Sequence, residues 1–295
     1  MKFGIYIIVI LSFFGIISRG RASQNCAREP QINTNDIKKI SSACSVSEDA
    51  QKMIERFEKN GFSCTHGEDE SRALQCTGKV IGYPENVRVY FSPDYKESKK
   101  KVSANYFFHG FRSAQTFSVN KNDTKNPSDF AAQFKEALNT ESILIIPESQ
   151  GRCETYGQFF QDGAFKKFHD EVSKIASIKF DAIKLAGHSG AYRVLDQIIK
   201  KTEIKSKVKK ILFLDSIYGD LPGVKSWLKE SAANKIKVAY VVGAEQSTVK
   251  PTEKFFSETA GFKDQMEILQ IQSTGLGGAH MQAIRSGGLV DFLKP

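Results

Sequence analysis

The sequence predicts an α/β fold: a mostly parallel, twisted sheet with helices on both faces, preceded by a small helix and a disulfide-pinned hairpin. Three observations carry this. From about residue 83 onward, short β-rich runs alternate with amphipathic stretches of helical period. One of those runs passes straight into a helix through a bend of small residues, Gly187-His188-Ser189-Gly190-Ala191. The composition, 40% hydrophobic and 25% charged over 295 residues with 22 Gly and 8 Pro, suits one packed core and excludes collagen, coiled coil, repeat array and disordered chain.

The chain begins with an apolar run, Ile5 to Ile17, behind Lys2, and small residues follow at Gly20-Arg21-Ala22. This is the pattern of a secretory signal over residues 1–22. A retained anchor is the alternative, disfavoured because the run is shorter than the about 18 residues a span requires. The mature chain is expected to be secreted or periplasmic, without stable membrane insertion. Loss of Lys2, Arg19 and Arg21 takes the formal charge from +9 to +6. That excess favours anionic partners such as envelope polymers, although Lys99-Lys100-Lys101, Lys166-Lys167, Lys200-Lys201 and Lys209-Lys210 are scattered, as a solvated surface would have them. Nucleic acid is excluded as a partner by export and by the lack of zinc-finger or RNP motifs.

Residues 23–82 read as a small subdomain. Ser47 caps a helix from Glu48 to Asn60 whose buried stripe is Met53, Ile54 and Phe57, with Gly61 ending it. Cys64 and Cys76 flank a polar stretch that reads as a hairpin loop, so these two are expected to pair. Two of Cys26, Cys44 and Cys153 form a second candidate pair, undetermined by spacing. A separate wall-binding module is the alternative reading of this region.

Residues 83–295 form the main domain. Its strands are Val87–Phe91, Val102–Phe108, Ile143–Ile146, Ile183–Ala186, Ile211–Leu214, Val238–Val242 and Glu267–Ile271. Helices lie between them: Ser128–Leu138 behind Pro127, one capped by Asp162 with Phe165, Phe168, Val172 and Ile175 on its inner face, then Ala191–Lys201, Gly223–Ala233, Pro251–Thr259 and a last one near Met281.

The chemistry enters at Ser189. A sharp strand-to-helix turn strains its central residue, and bulky neighbours two positions away would collide with the strand and helix. Gly187 and Ala191 meet that need. Upstream, the strand ending at Phe108 runs into His109-Gly110-Phe111, where a glycine lets amides approach a developing oxyanion, so the N–H groups of Phe111 and Gly190 are the expected oxyanion hole. Downstream of Ser189 the sequence has a single histidine, His280, after the last strand and the glycine-rich segment Gly275 to Ala279. Acids end the two intervening strands: Asp215 and Glu245.

With these residues the sequence resembles the α/β-hydrolase superfamily from about Val87 to its end, in the chain order nucleophile, acid, histidine. The resemblance implies an eight-stranded, mostly parallel sheet with the nucleophile elbow at Ser189 and a triad completed by His280 and an acid. Ala191 departs from the second elbow glycine, and no cap insertion follows Asp215, which suggests an open site. The expected chemistry is hydrolysis of an ester or amide: Ser189 attacks, His280 serves as base and then acid, and Asp215 orients it. Asp215 is favoured over Glu245 because it directly ends an apolar strand, although Glu245 sits where the superfamily more often keeps its acid.

Among neighbouring residues, His188 reads as lining the elbow, His109 as holding the oxyanion loop or lining the substrate site, and His66 and His169 as solvated. Tyr192 either lines the pocket or packs beneath the elbow. Glu148, Ser149 and Arg152 cap a loop at the same rim or contact substrate. No cofactor is required, and the absence of C-x-x-C and H-E-x-x-H patterns argues against a metal. The alternative class is a non-catalytic carbohydrate- or wall-binding protein on the same scaffold, using a rim around Phe111 and Tyr156. Otherwise the partner is a small-molecule, peptide or envelope-polymer substrate.

Overall fold

A computed structural model describes residues 46–65, 73–97, 102–110, 138, 141–149, 156–243, 247–273, 279–285 and 288–293. The signal-like segment, Cys26, Cys44, Cys153, His66, Phe111, Arg152, Glu245 and the expected helix before Leu138 lie outside these residues.

The strands are β1 (Ser63–Cys64), β2 (Leu74–Lys79), β3 (Asn86–Phe91), β4 (Val102–Phe108), β5 (Ile143–Pro147), β6 (Phe180–His188), β7 (Val208–Leu214), β8 (Lys235–Val242) and β9 (Met266–Gln272). They join in one nine-stranded sheet, ordered β1-β2-β3-β5-β4-β6-β7-β8-β9. β1, β2, β3 and β5 pair antiparallel in succession, and every pairing from β5 through β4 to β9 is parallel. The sheet has one strand more than the eight that the superfamily resemblance implies, counting the two-residue β1.

The central strands are apolar on both faces because helices cover both. On β6 and β7, Ile183, Leu185, Ile211 and Phe213 enter one core, while Ala186, Leu212 and Leu214 enter the other. The first core receives α1 (Glu48–Lys59), α2 (Ala164–Ala176), α3 (Tyr192–Lys201), α4 (Pro222–Glu230) and α5 (Val249–Glu258). The second receives α6 (Ala279–Arg285) and α7 (Gly288–Leu293) through Ala283, Ile284, Leu289 and Phe292. Leu195 and Ile198 of α3 and Trp227 of α4 are all but fully buried, and each such side chain contributes about 1.5–3 kcal/mol by leaving water.

Ser47 caps α1 through its side chain, which accepts from Ala50 N at 3.1 Å. Cys64 and Cys76 are disulfide-bonded and sit opposite each other in the β1–β2 register. The boundary near residue 83 marks a change in chemistry and not in packing. Residues Cys44–Pro295 belong to one compact unit, and Met53, Ile54 and Phe57 of α1 share a core with Val87, Val89 and Phe91 of β3.

Two local expectations are corrected. Asp162 does not cap α2: Gly163 holds the N-cap position at φ 69°, and Asp162 pairs with Lys201 at 2.8 Å. His169 is buried, not solvated, because the inner face of α2 carries it under the sheet, where its Nδ1 lies 2.8 Å from the Tyr106 hydroxyl. α7 has no counterpart in the sequence reading; its six residues are too few to establish a helical period.

Candidate active site

Three non-glycine residues among those described have positive φ: Ser177, Ser189 and Asp215. Ser177 ends α2, a common place for a left-handed residue. The other two stand at the carboxyl ends of neighbouring parallel strands, where open α/β sheets place their ligands. Strain of this kind costs about 1–3 kcal/mol and persists only where the surroundings enforce it.

Ser189 has φ 58° and opens the one-turn 3-10 segment that leads into α3. The need for small neighbours is visible in atoms. A Cβ on Gly187 would lie 2.8 Å from Leu195 Cδ1 and 3.1 Å from Ala191 Cβ, so strand and helix close on each other there. Gly110, at the end of β4, meets the serine itself: a Cβ there would fall 2.5 Å from Ser189 Cβ, 2.9 Å from Ser189 Oγ and 2.9 Å from the Gly190 nitrogen. The backbone after β4 thus runs directly beside Ser189 Oγ and the Gly190 N–H. From the other side, the Ser216 hydroxyl donates to Ser189 O at 2.6 Å.

Asp215 is fully buried, with φ 43°. Its Oδ1 accepts from the Thr248 hydroxyl at 2.6 Å and, weakly, from Val241 N at 3.4 Å. Its Oδ2 lies 2.5 Å from His280 Nδ1. A carboxylate only accepts, so Nδ1 carries the hydrogen and Nε2 is left as the basic nitrogen. That Nε2 is buried and makes no hydrogen bond among the described residues.

The His280 ring lies against that of His188, residue-next to the serine, with centroids 4.3 Å apart and planes tilted by 32°, and His188 meets His109 in turn at 5.1 Å and 47°. Burial holds His188 far below the ordinary histidine range, with the charges of His109 and His280 acting the same way. His109 is lowered to about 4, first by burial and then by the charge of His280. Both rings are therefore neutral at neutral pH. His109 is buried within this column and its carbonyl accepts from the Tyr156 hydroxyl at 2.8 Å.

Tyr218 meets His280 edge to face at 6.3 Å, and Tyr192 lies 5.9 Å from Tyr218. Tyr192 is only partly buried and packs against the larger core. Glu148 is a brace: it pairs with Arg88 at 2.7 Å, both side chains largely buried, and its carbonyl accepts from the Tyr83 hydroxyl. Tyr156 is fully buried, so it presents no ring for stacking a sugar. A cleft lined by Asp220, Lys250, Lys254 and Glu258 among others includes none of Ser189, Asp215 and His280. No group of three or more His, Cys, Asp or Glu among the described residues is placed to hold a metal, and no described helix is long and apolar enough to cross a membrane.

Thr248 and Ser216 escaped the sequence reading. Neither lies in a motif, and each acts through a partner 27 or more positions away, so no local pattern announces it.

No family model matches the sequence, and no curated protein matches it. Solved structures do resemble it. A mutant of the feruloyl esterase module from Clostridium thermocellum, complexed with sinapinate, superposes with a TM-score of 0.52 at 13% identity, covering 77% of this chain and 89% of that one. A ferulic acid esterase gives 0.50 at 12% identity, covering 75% and 98%. At such identities the likeness is one of fold.

Proposed function

From the α/β-hydrolase fold that the chain adopts, we propose that it is a secreted serine hydrolase cleaving an ester or amide bond through an acyl-enzyme on Ser189. One observation carries this reading: a buried Asp215 carboxylate bonded to His280 Nδ1 at 2.5 Å, on the strand next to a strained serine. A serine hydroxyl is a poor nucleophile until a neighbouring base takes its proton, and a histidine serves only in the tautomer that leaves the facing nitrogen free. Asp215 favours that tautomer.

In the proposed cycle, Ser189 Oγ attacks the substrate carbonyl while its proton passes to His280 Nε2. The imidazolium forms beside the buried Asp215 carboxylate and then protonates the leaving alcohol or amine. Water, deprotonated by His280, hydrolyses the acyl-enzyme. Negative charge on the tetrahedral intermediate would meet the Gly190 N–H and, as the sequence suggests, that of Phe111. The close passage of Gly110 beside Ser189 Oγ and Gly190 N supports an oxyanion hole on that side. That the two structural relatives are a feruloyl esterase module and a ferulic acid esterase agrees with this chemistry without identifying the acyl group.

Export is part of the proposal. It is supported by the signal-like residues 1–22 and by the Cys64–Cys76 disulfide, which suits an oxidising compartment. A small-molecule, peptide or envelope-polymer substrate fits a mature charge of +6.

A fluorophosphonate probe tests the reading. Folded wild-type protein should label stoichiometrically, Ser189→Ala should not label, and His280→Ala should label at a rate lower by orders of magnitude with a thermal midpoint near that of wild type. Labelling that survives in Ser189→Ala refutes the proposal.

A further inference from the structure

His280 must present Nε2 to Ser189, yet its own element offers little rigidity. α6 has only seven residues, too short to be stable by its internal hydrogen bonds. The Asp215 bond fixes one ring nitrogen and leaves the backbone of residue 280 to be held by something else.

His188 supplies that restraint. It is the last residue of β6, an interior strand paired with β4 on one side and β7 on the other, and is 1% exposed. Its Nε2 lies 3.3 Å from the carbonyl oxygen of His280. A carbonyl only accepts, so Nε2 carries the hydrogen and donates it, and Nδ1 is left as a bare, buried nitrogen without a hydrogen bond among the described residues. Its ring also lies against that of His280, with centroids 4.3 Å apart and planes tilted by 32°. One side chain therefore touches the base twice, at the backbone and at the ring, and its residue is joined by a peptide bond to the nucleophile.

Resting on the serine-hydrolase reading above, we infer that His188 is a positioning residue, which ties His280 to Ser189 through a hydrogen bond from its Nε2 to the His280 carbonyl and a tilted ring contact with the His280 imidazole. The tie spans a single residue. Displacement of the base relative to β6 strains or breaks this partly buried hydrogen bond, so the spread of separations between Nε2 and Ser189 Oγ is narrowed without contact to substrate. The orientation of reacting groups has a steep effect on rate, since a 1 Å misplacement costs about a hundredfold. A second consequence is chemical. With Nε2–H committed to the carbonyl, His188 offers no hydrogen to compete with Ser189 for the lone pair of His280 Nε2.

The test uses atom positions. In Gln, the amide nitrogen is as many bonds from Cβ as Nε2 is in His; in Asn it matches Nδ1. His188→Gln keeps a donor for the His280 carbonyl, and His188→Asn and His188→Leu remove it. Fluorophosphonate inactivation of purified, folded full-length protein is measured as a maximal rate, kinact, and a half-saturation concentration, KI. The expected result is a kinact lowered roughly tenfold in His188→Leu and His188→Asn, as loss of one orienting hydrogen bond implies. KI should stay within about twofold, and kinact in His188→Gln should return to within about threefold of wild type. A merely structural role would lower the folded fraction and leave the kinact of the folded molecules alone. Equal kinact in His188→Gln and His188→Asn, or a wild-type kinact in His188→Leu, overturns the inference. Should His188→Leu fail to fold, the two amides, close in size to histidine, still decide it. Failure of the serine-hydrolase reading is separately visible as wild-type protein that labels independently of Ser189.

Discussion

Asp215→Asn is the substitution whose outcome follows most directly from the site. It keeps the shape of the side chain and removes its charge, so an amide NH2 must face one of two directions. Turned toward Val241, it would set donor against donor at a buried strand N–H, a cost of about 1–3 kcal/mol. Turned toward His280, it donates to Nδ1, and the imidazole proton moves to Nε2 at little cost. Oδ1 then still accepts from Thr248 and Val241. The second arrangement wins, and it leaves His280 with no lone pair facing Ser189. The expected loss in the rate of fluorophosphonate labelling is about 10⁴-fold, equivalent to roughly 5.5 kcal/mol in the barrier. Folding should change by no more than about 2 kcal/mol, because the charge-assisted bond that is lost is offset by relief from burying a carboxylate. Labelling kinetics and urea unfolding of the same preparation measure both quantities, with Glu245→Gln as the parallel control expected to behave as wild type. A folded Asp215→Asn that labels within about tenfold of wild type would refute the tautomer argument. The reverse pattern, a silent Asp215→Asn and an inactive Glu245→Gln, would move the acid to Glu245.

Two further outcomes follow from the geometry. Gly110→Ala places a Cβ against Ser189 Cβ and the Gly190 nitrogen, atoms that cannot swing away, so labelling should fall at least about tenfold while circular dichroism stays native; an unaltered rate would mean that the end of β4 is not held against the serine. His169 is lowered from an ordinary 6.5 to about 4, chiefly by burial, so the unfolded chain takes up a proton that the folded one refuses between those values. Stability is then complete above pH 6.5 and falls as the pH drops toward 4. His169→Gln should flatten that decline by as much as about 1.4 kcal/mol per pH unit in denaturant unfolding, and parallel slopes for the two proteins would exclude the effect.

Much of this architecture is written locally. Alternation along Ile211-Leu212-Phe213-Leu214 places successive side chains in opposite cores, so the run itself announces a strand covered on both sides. Ser47 three residues before Ala50, and Cys64 across a short polar loop from Cys76, satisfy each other over distances that the eye spans in one window. The strained bend at Ser189 is likewise legible, because the space around it is set by Gly187 and Ala191, two residues to either side.

What bears on chemistry is less local. Asp215 and His280 stand 65 positions apart, and nothing in their neighbours says that one nitrogen will meet one oxygen. Thr248 reaches Asp215, and the rings of His109, His188 and His280 meet, only because parallel register aligns the ends of β4, β6 and β7 at one edge. His169 shows the same limit: its helix was evident, but the hydroxyl that receives it belongs to Tyr106, 63 positions earlier. The sequence by itself determined most of the strands and helices and the serine at the bend, since steric periods and turn preferences act between near neighbours. Only the tertiary structure decided which acid meets the histidine and which imidazole braces it, because those contacts depend on how separate elements are set side by side.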